Sequence, residues 1–149
     1  MPRFVLLYHE CPPGFPRPSH WDLMLEDGEV LRTWALTQLP RDWQLLVEQS
    51  VSNDDVPKLV AATNAVPAEQ LADHRPAYLD FEGLLSGDRG SVTRIESGAY
   101  SAGQNTPDRW EFAITGRMIV GLITLSRTLS EGPHWKLTFE AERKSDSPT

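Results

Sequence analysis

The feature that most constrains how this chain can fold is a pair of alternating runs around Asp27-Gly28. His20-Trp21-Asp22-Leu23-Met24-Leu25-Glu26 alternates strictly, and Glu29-Val30-Leu31-Arg32-Thr33-Trp34-Ala35-Leu36 follows the turn. Asp-Gly between two such runs predicts a β-hairpin through a type I′ turn. Phe4–Tyr8 reads as a short buried strand. Between them, Cys11-Pro12-Pro13-Gly14-Phe15-Pro16-Arg17-Pro18 must be a loop, because four prolines forbid either kind of backbone ladder. Strands return over Tyr78–Leu85, Ser91–Glu96, Trp110–Ile114, Met118–Arg127 and Trp135–Glu140, with glycines marking the turns. The expectation is a mainly β fold, an antiparallel barrel or sandwich.

The stretch 41–73 is expected to hold one or two short helices. Val56, Leu59, Val60 and Thr63 fit one helical stripe behind an Asn53/Asp54 cap, and Pro57 and Pro67 keep any helix short. With 149 residues, no repeat and no long linker, residues 1–140 read as a single domain and 141–149 as a flexible tail.

Composition narrows the function. A net charge of −7 excludes coating of nucleic acid by overall charge, but not recognition of an end by a local cluster. All but Lys58, Lys136 and Lys144 of the 14 cations are arginine, the better fork for phosphate, although a high-GC genome produces the same bias. One cysteine, Cys11, excludes a disulfide framework. The first apolar run is too short for a signal segment and no run is long enough to span a membrane, so a cytoplasmic protein without a membrane partner is expected.

Chemistry concentrates on the strand from His20. Alternation sends His20, Asp22, Met24 and Glu26 to one face and Trp21, Leu23 and Leu25 to the core. His-x-Asp on one rigid element suits a divalent ion, and mixed nitrogen and oxygen donors fit manganese or zinc better than magnesium. An ordinary solvated strand face has the same spacing. His9, ending the preceding strand, would complete a His, His, Asp set. His74 is a further candidate, with Asp73 beside it to orient the ring. Ser86-Gly87-Asp88-Arg89-Gly90 could present amides and Arg89 to an anion, and a plain hairpin turn explains it equally well. His134 reads as structural, and Cys11 has no histidine partner at a spacing that marks a thiol nucleophile.

At these residues the chain resembles the 3′-phosphoesterase domain of bacterial DNA ligase D. That pattern has a strand ending in His, then His-Tyr-Asp-x-Arg-Leu-Glu, an Asp-Gly hairpin, a Trp-Ala-Val strand, and later Asp-His-Pro-x-x-Tyr-x-x-Phe-Glu-Gly. Here the counterparts are Phe4 to His9, His20 to Gly28, Trp34-Ala35-Leu36, and Asp73-His74-Arg75-Pro76-Ala77-Tyr78-Leu79-Asp80-Phe81-Glu82-Gly83. The likeness covers about residues 3–36 and 71–140.

The resemblance implies a manganese-dependent enzyme that removes a 3′-terminal ribonucleotide and then the 3′-phosphate at DNA breaks, with repair ligases or polymerases as partners. It implies His9, His20 and Asp22 as metal ligands, His74 on the scissile phosphate and Tyr78 in support. The chain departs from the pattern where a phosphate-clamping arginine becomes Met24 and a lysine becomes Gln38. Arg89 or Arg75 is expected to replace that cation; Arg32 is not, since it falls opposite Leu23 on the core-side face. The competing expectation is a non-catalytic module of the same fold that binds a metal or a terminal phosphate.

Overall fold

The computed structural model describes residues 1–49, 60–129 and 131–142. β1 (Arg3–Glu10), β2 (His20–Asp27) and β3 (Val30–Leu36) pair antiparallel in chain order. The turn falls one residue later than expected: Asp27 faces Val30, so Gly28 and Glu29 form the loop. Of the two, only Gly28 has positive φ, at 64°. That is the II′ pattern, which wants glycine at its first central position, and not I′. The register change moves Arg32 from Leu23 to Leu25. It is a change of two residues, so Arg32 stays on the core-side face.

β4 (Ala65–His74), β5 (Gly83–Leu84), β6 (Ser91–Ala102), β7 (Arg109–Gly116), β8 (Val120–Arg127) and β9 (His134–Ala141) complete the sheet. The order is β1-β2-β3-β4-β9-β8-β7-β6, and β1 pairs with β6 to close an eight-stranded antiparallel barrel. β5 lies outside that circuit, added to the start of β6. The fold is therefore the mainly β barrel that the alternating runs predict. Its interior is packed with Phe4, Leu6, Tyr8, Trp21, Leu23, Leu25, Trp34, Leu36 and inward residues of the later strands. Trp34 meets Trp110 and Trp135 edge-on, with centroids 5.6 and 5.5 Å apart.

Two segments differ from expectation. The stretch 41–73 holds a short helix as expected: α1 runs Gln44–Gln49 behind a 3-10 turn at Arg41–Trp43 and is the one α-helix among the described residues, but β4 takes the end of that stretch as a strand. Trp43, Leu46 and Val47 join the interior cluster. The expected cap and most of the stripe through Leu59 lie outside the described residues, as does the tail from 143. Val60 instead makes a parallel bridge to Leu39. Pro67 is tolerated in β4 because β3 pairs with β4 only from Glu69 onward.

The second difference is the stretch expected as a strand over 78–85. It is a 3-10 turn at Pro76–Leu79 followed by the two-residue β5. Pro76 at the first position fixes φ for a helical turn. This segment lies as a strap over the outer face of the first hairpin. Leu79 packs against Val5, Leu7, Met24, Leu31 and Val92 in a second small core, with Tyr78, Phe81 and Leu85 at its margin. The outer face of β1 and β2 is thus covered, and that covering makes a cleft.

Candidate metal centre

β1 and β2 meet at a pair that sets the site: His9 faces His20 across the hairpin, with the proline loop as their connection. Pro13 and Gly14 are the central residues of a turn closed by Phe15 N–H to the Pro12 carbonyl at 3.1 Å, with φ of 83° at Gly14, the type II arrangement. The neck of the loop is tied by the Cys11 amide donating to Ser19 Oγ at 2.9 Å. Two residues along β2 from His20, Asp22 projects from the same face.

Each histidine has one ring nitrogen fixed by a backbone carbonyl. His20 Nδ1 donates to Pro18 O at 2.8 Å, and His9 Nε2 donates to Arg89 O at 2.7 Å. A carbonyl only accepts, so these contacts set both tautomers. The remaining nitrogens turn to one carboxylate. His20 Nε2 lies 3.0 Å from Asp22 Oδ1 and His9 Nδ1 lies 3.9 Å from Asp22 Oδ2.

His20 and Asp22 are both buried, yet His20 Nε2 and Asp22 Oδ1 have no hydrogen-bond partner among the described residues: they are close but not aligned. Two facing lone pairs repel, so a cation, a proton or a metal ion, belongs between them. Burial works against a charged His20, but Asp22 and the Pro18 carbonyl outweigh it and raise the pKa above the ordinary imidazole value. Ligands held from behind by carbonyls, with converging lone pairs in front, are the arrangement metal-binding histidines adopt. Two imidazoles and a carboxylate thus face one another here; among the described residues the set of donor atoms that all fall within 4.8 Å of one another is that of His9, Cys11 and His20, and it does not include Asp22.

Above the three donors is a cleft of about 210 Å³, lined also by Phe15, Arg17, Met24, Leu71, His74, Tyr78, Leu85, Arg89 and Val92. His74 ends β4, its Nδ1 donating to the Ala72 carbonyl at 2.9 Å and its ring edge-on to Tyr78 at 5.4 Å. Asp73, expected to orient that ring, instead pairs with Arg32 at 3.0 Å. Arg32 also binds Asp27, so both its neighbours lie at the opposite end of the hairpin from His9 and His20. Met24, at the position of the resembled arginine, is buried in the apolar floor beneath Leu79.

Arg89 lines this cleft, and its guanidinium donates to the carbonyl and hydroxyl oxygens of Ser86 in its own loop. It forms no ion pair among the described residues. Arg75 lines a neighbouring cleft shared with Tyr78, Phe81, Leu85 and Arg89, not the one over His20. Sequence reasoning missed Arg17, which enters the cleft from the proline loop and is held by Glu69 Oε2 at 3.0 Å. That hydrogen bond keeps the Glu69 carboxyl below its ordinary pKa. The available signal was position: Arg17 is the lone cation in a loop whose two ends are His9 and His20. Burial and the nearby Asp22 charge push the Cys11 thiol pKa up, which disfavours a free thiolate nucleophile.

No protein-family model matches this chain, and comparison with curated proteins returns no match. Among the described residues, no helix is long and apolar enough to cross a membrane.

Proposed function

We propose that this chain is a metal-dependent phosphoesterase that acts on a nucleic-acid 3′ end or a related small phosphate ester, working in the reducing cytoplasm. The observation that carries the reading is the buried, unpartnered His20 Nε2–Asp22 Oδ1 pair opening into a cleft that also holds His74, Tyr78 and two arginines. His9, His20 and Asp22 would hold the ion, manganese by the resemblance to ligase D domains. When bound, a divalent ion neutralises negative charge that builds on phosphoryl oxygens in the transition state.

The rest of the chemistry belongs to the chain. His74 Nδ1 is occupied by Ala72, so Nε2 is the atom left to meet a phosphate oxygen. Tyr78 holds that ring edge-on and lines the same cleft. Arg89 and Arg17 supply the positive charge that Met24 lacks, and Arg75 borders the adjoining cleft. The apolar floor of Met24, Leu85 and Val92 excludes water beneath the reacting group and strengthens these electrostatic contacts. DNA-repair ligases or polymerases would be the partners of such an activity.

A non-catalytic metal- or phosphate-binding module is the second reading, and Met24 favours it. A missing bidentate phosphate contact costs about 3 kcal/mol of transition-state stabilisation. Manganese and zinc are titrated against hydrolysis of a 3′-phosphate oligonucleotide. Turnover that disappears in His20→Ala supports the enzyme, and tight metal binding without turnover supports the module. In the enzyme, Arg89→Ala lowers kcat/KM by about tenfold or more, while Arg32→Ala leaves it within about twofold.

A further inference from the structure

Beside the cleft over His20 lies a second, of about 290 Å³, and the two share Tyr78, Leu85 and Arg89. Three rings lead from one to the other. His74 meets Tyr78 edge-on at 5.4 Å, and Tyr78 meets Phe81 edge-on at 6.2 Å. Phe81 and the exposed Leu84 line only the second cleft. Charge sets this cleft apart. Arg75 and Arg89 both line it, and neither forms an ion pair among the described residues. Every other described arginine has a carboxylate oxygen within 3.9 Å. In a chain of net charge −7, the arginines free of ion pairs thus gather at one place, against aromatic and apolar walls.

From this we infer that the second cleft seats the nucleoside that carries the reacting 3′-phosphate, its base against Phe81 and its 5′-phosphate on Arg75. The inference rests on reading the cleft over His20 as the phosphate site, and it makes the substrate a nucleic-acid strand, not a small phosphate ester. Aromatic rings beside cations are how single strands are held without sequence preference, since every base has a π-face and every nucleotide a phosphate. Arg89 lines both clefts, so one cation serves the step from the reacting phosphate to its nucleoside. A small ester would leave the second cleft empty. An acidic peptide would meet the arginines but offers no flat ring to Phe81.

The test measures binding, by fluorescence anisotropy with manganese present, of the full chain to a labelled hexathymidylate. The strand ends in a 3′-methylenephosphonate, a phosphate analogue that cannot be hydrolysed. Removing only its 3′-terminal base is expected to weaken binding about tenfold. Phe81→Leu weakens binding of the complete strand by about fivefold or more, and leaves the abasic strand within about twofold. Arg75→Ala, at an exposed position, reduces the slope of log affinity against log salt by about 0.7, the value of one lost single-strand phosphate contact. Equal affinity for complete and abasic strands overturns the inference in the unsubstituted protein, whatever the variants do. Displacement by hexaglutamate as readily as by unlabelled strand overturns it in favour of an acidic peptide. Affinity that needs the phosphonate but neither the base nor Arg75 overturns this cleft and leaves the proposed phosphate site standing. Affinity that needs the base and Arg75 but not the phosphonate keeps the cleft as a strand seat and overturns the phosphate site. Absence of binding overturns both.

Discussion

Single residues hold this barrel together in ways that contact area does not express. Glu96 is a buried carboxylate, and its two oxygens accept from the amides of Ser97, Arg117, Met118 and Ile119 at 2.8–2.9 Å. Three of those donors form the β7–β8 turn, so one side chain of β6 anchors a turn from the neighbouring hairpin. Glu96→Ala strands these amides in a buried setting and lowers unfolding free energy by about 2–4 kcal/mol, read by urea denaturation. Tyr100, on the same face of that strand, reaches β2. Its hydroxyl donates to the Glu26 carbonyl at 2.5 Å, and burial, with the charges of Asp27 and Glu26, pushes its pKa up to about 12. In the unfolded chain a tyrosine ionises near about 10. Between those values the unfolded state loses its proton first, so stability holds up to about pH 10 and falls as pH approaches 12. Tyr100→Phe flattens that limb of the stability–pH curve.

Elements decide whether these residues become a site. The strap from Pro76 to Gly90 roofs the outer face of the first hairpin, and its last residue makes the closest approach. Gly90 has φ of 88°, and a Cβ there would fall 1.8 Å from the Glu10 carbonyl oxygen. The same stretch delivers the Arg89 carbonyl to His9 Nε2 and accepts the Leu85 amide at the Gly90 carbonyl. Gly90→Ala must push the loop off β1, which releases the His9 ring. The expected result is a metal affinity lower by about 10–100-fold, measured by calorimetric titration, with the barrel itself intact by near-ultraviolet circular dichroism. Gly87→Ala, with φ of 73° but open space at Cβ, strains the turn without moving Arg89 and serves as the comparison. β4 shows the reverse relation between element and residue. Ala65, Pro67, Ala68 and Ala72 carry little strand preference, yet β3 and β9 supply hydrogen-bonding edges on either side, and pairing overrides propensity.

At the scale of the whole molecule, an ion held as proposed by His9, His20 and Asp22 would join β1, β2 and, through the Arg89 carbonyl on His9, the strap, so its binding would be linked to folding. An ion present at about 1,000 times its dissociation constant adds about 4 kcal/mol to unfolding free energy. For a chain of this length that raises Tm by about 10 °C, and chelation reverses the rise. His20→Ala keeps its own Tm whether or not metal is added, as scanning calorimetry would show. Much of this architecture was legible beforehand. The alternation in His20–Glu26 determined which side chains share a face, because a strand's period of two is a property of the backbone. The Asp27-Gly28 signal determined a hairpin, though the turn formed one residue later because Gly28 alone took positive φ. The meeting of His9 with His20 followed from two strands that border one loop. Other features had no local signature. Arg17 reaches the cleft only because Glu69, fifty-two positions away in the chain, holds it there. Pro76–Leu79 folds as a helical turn because Leu79 finds an apolar floor on the outside of the first hairpin. Local sequence determined faces and turns, since these depend on backbone geometry over a few residues. The closed barrel, the roof over His20 and the cations beside it were decided by contacts between distant segments, which only the folded chain brings within reach.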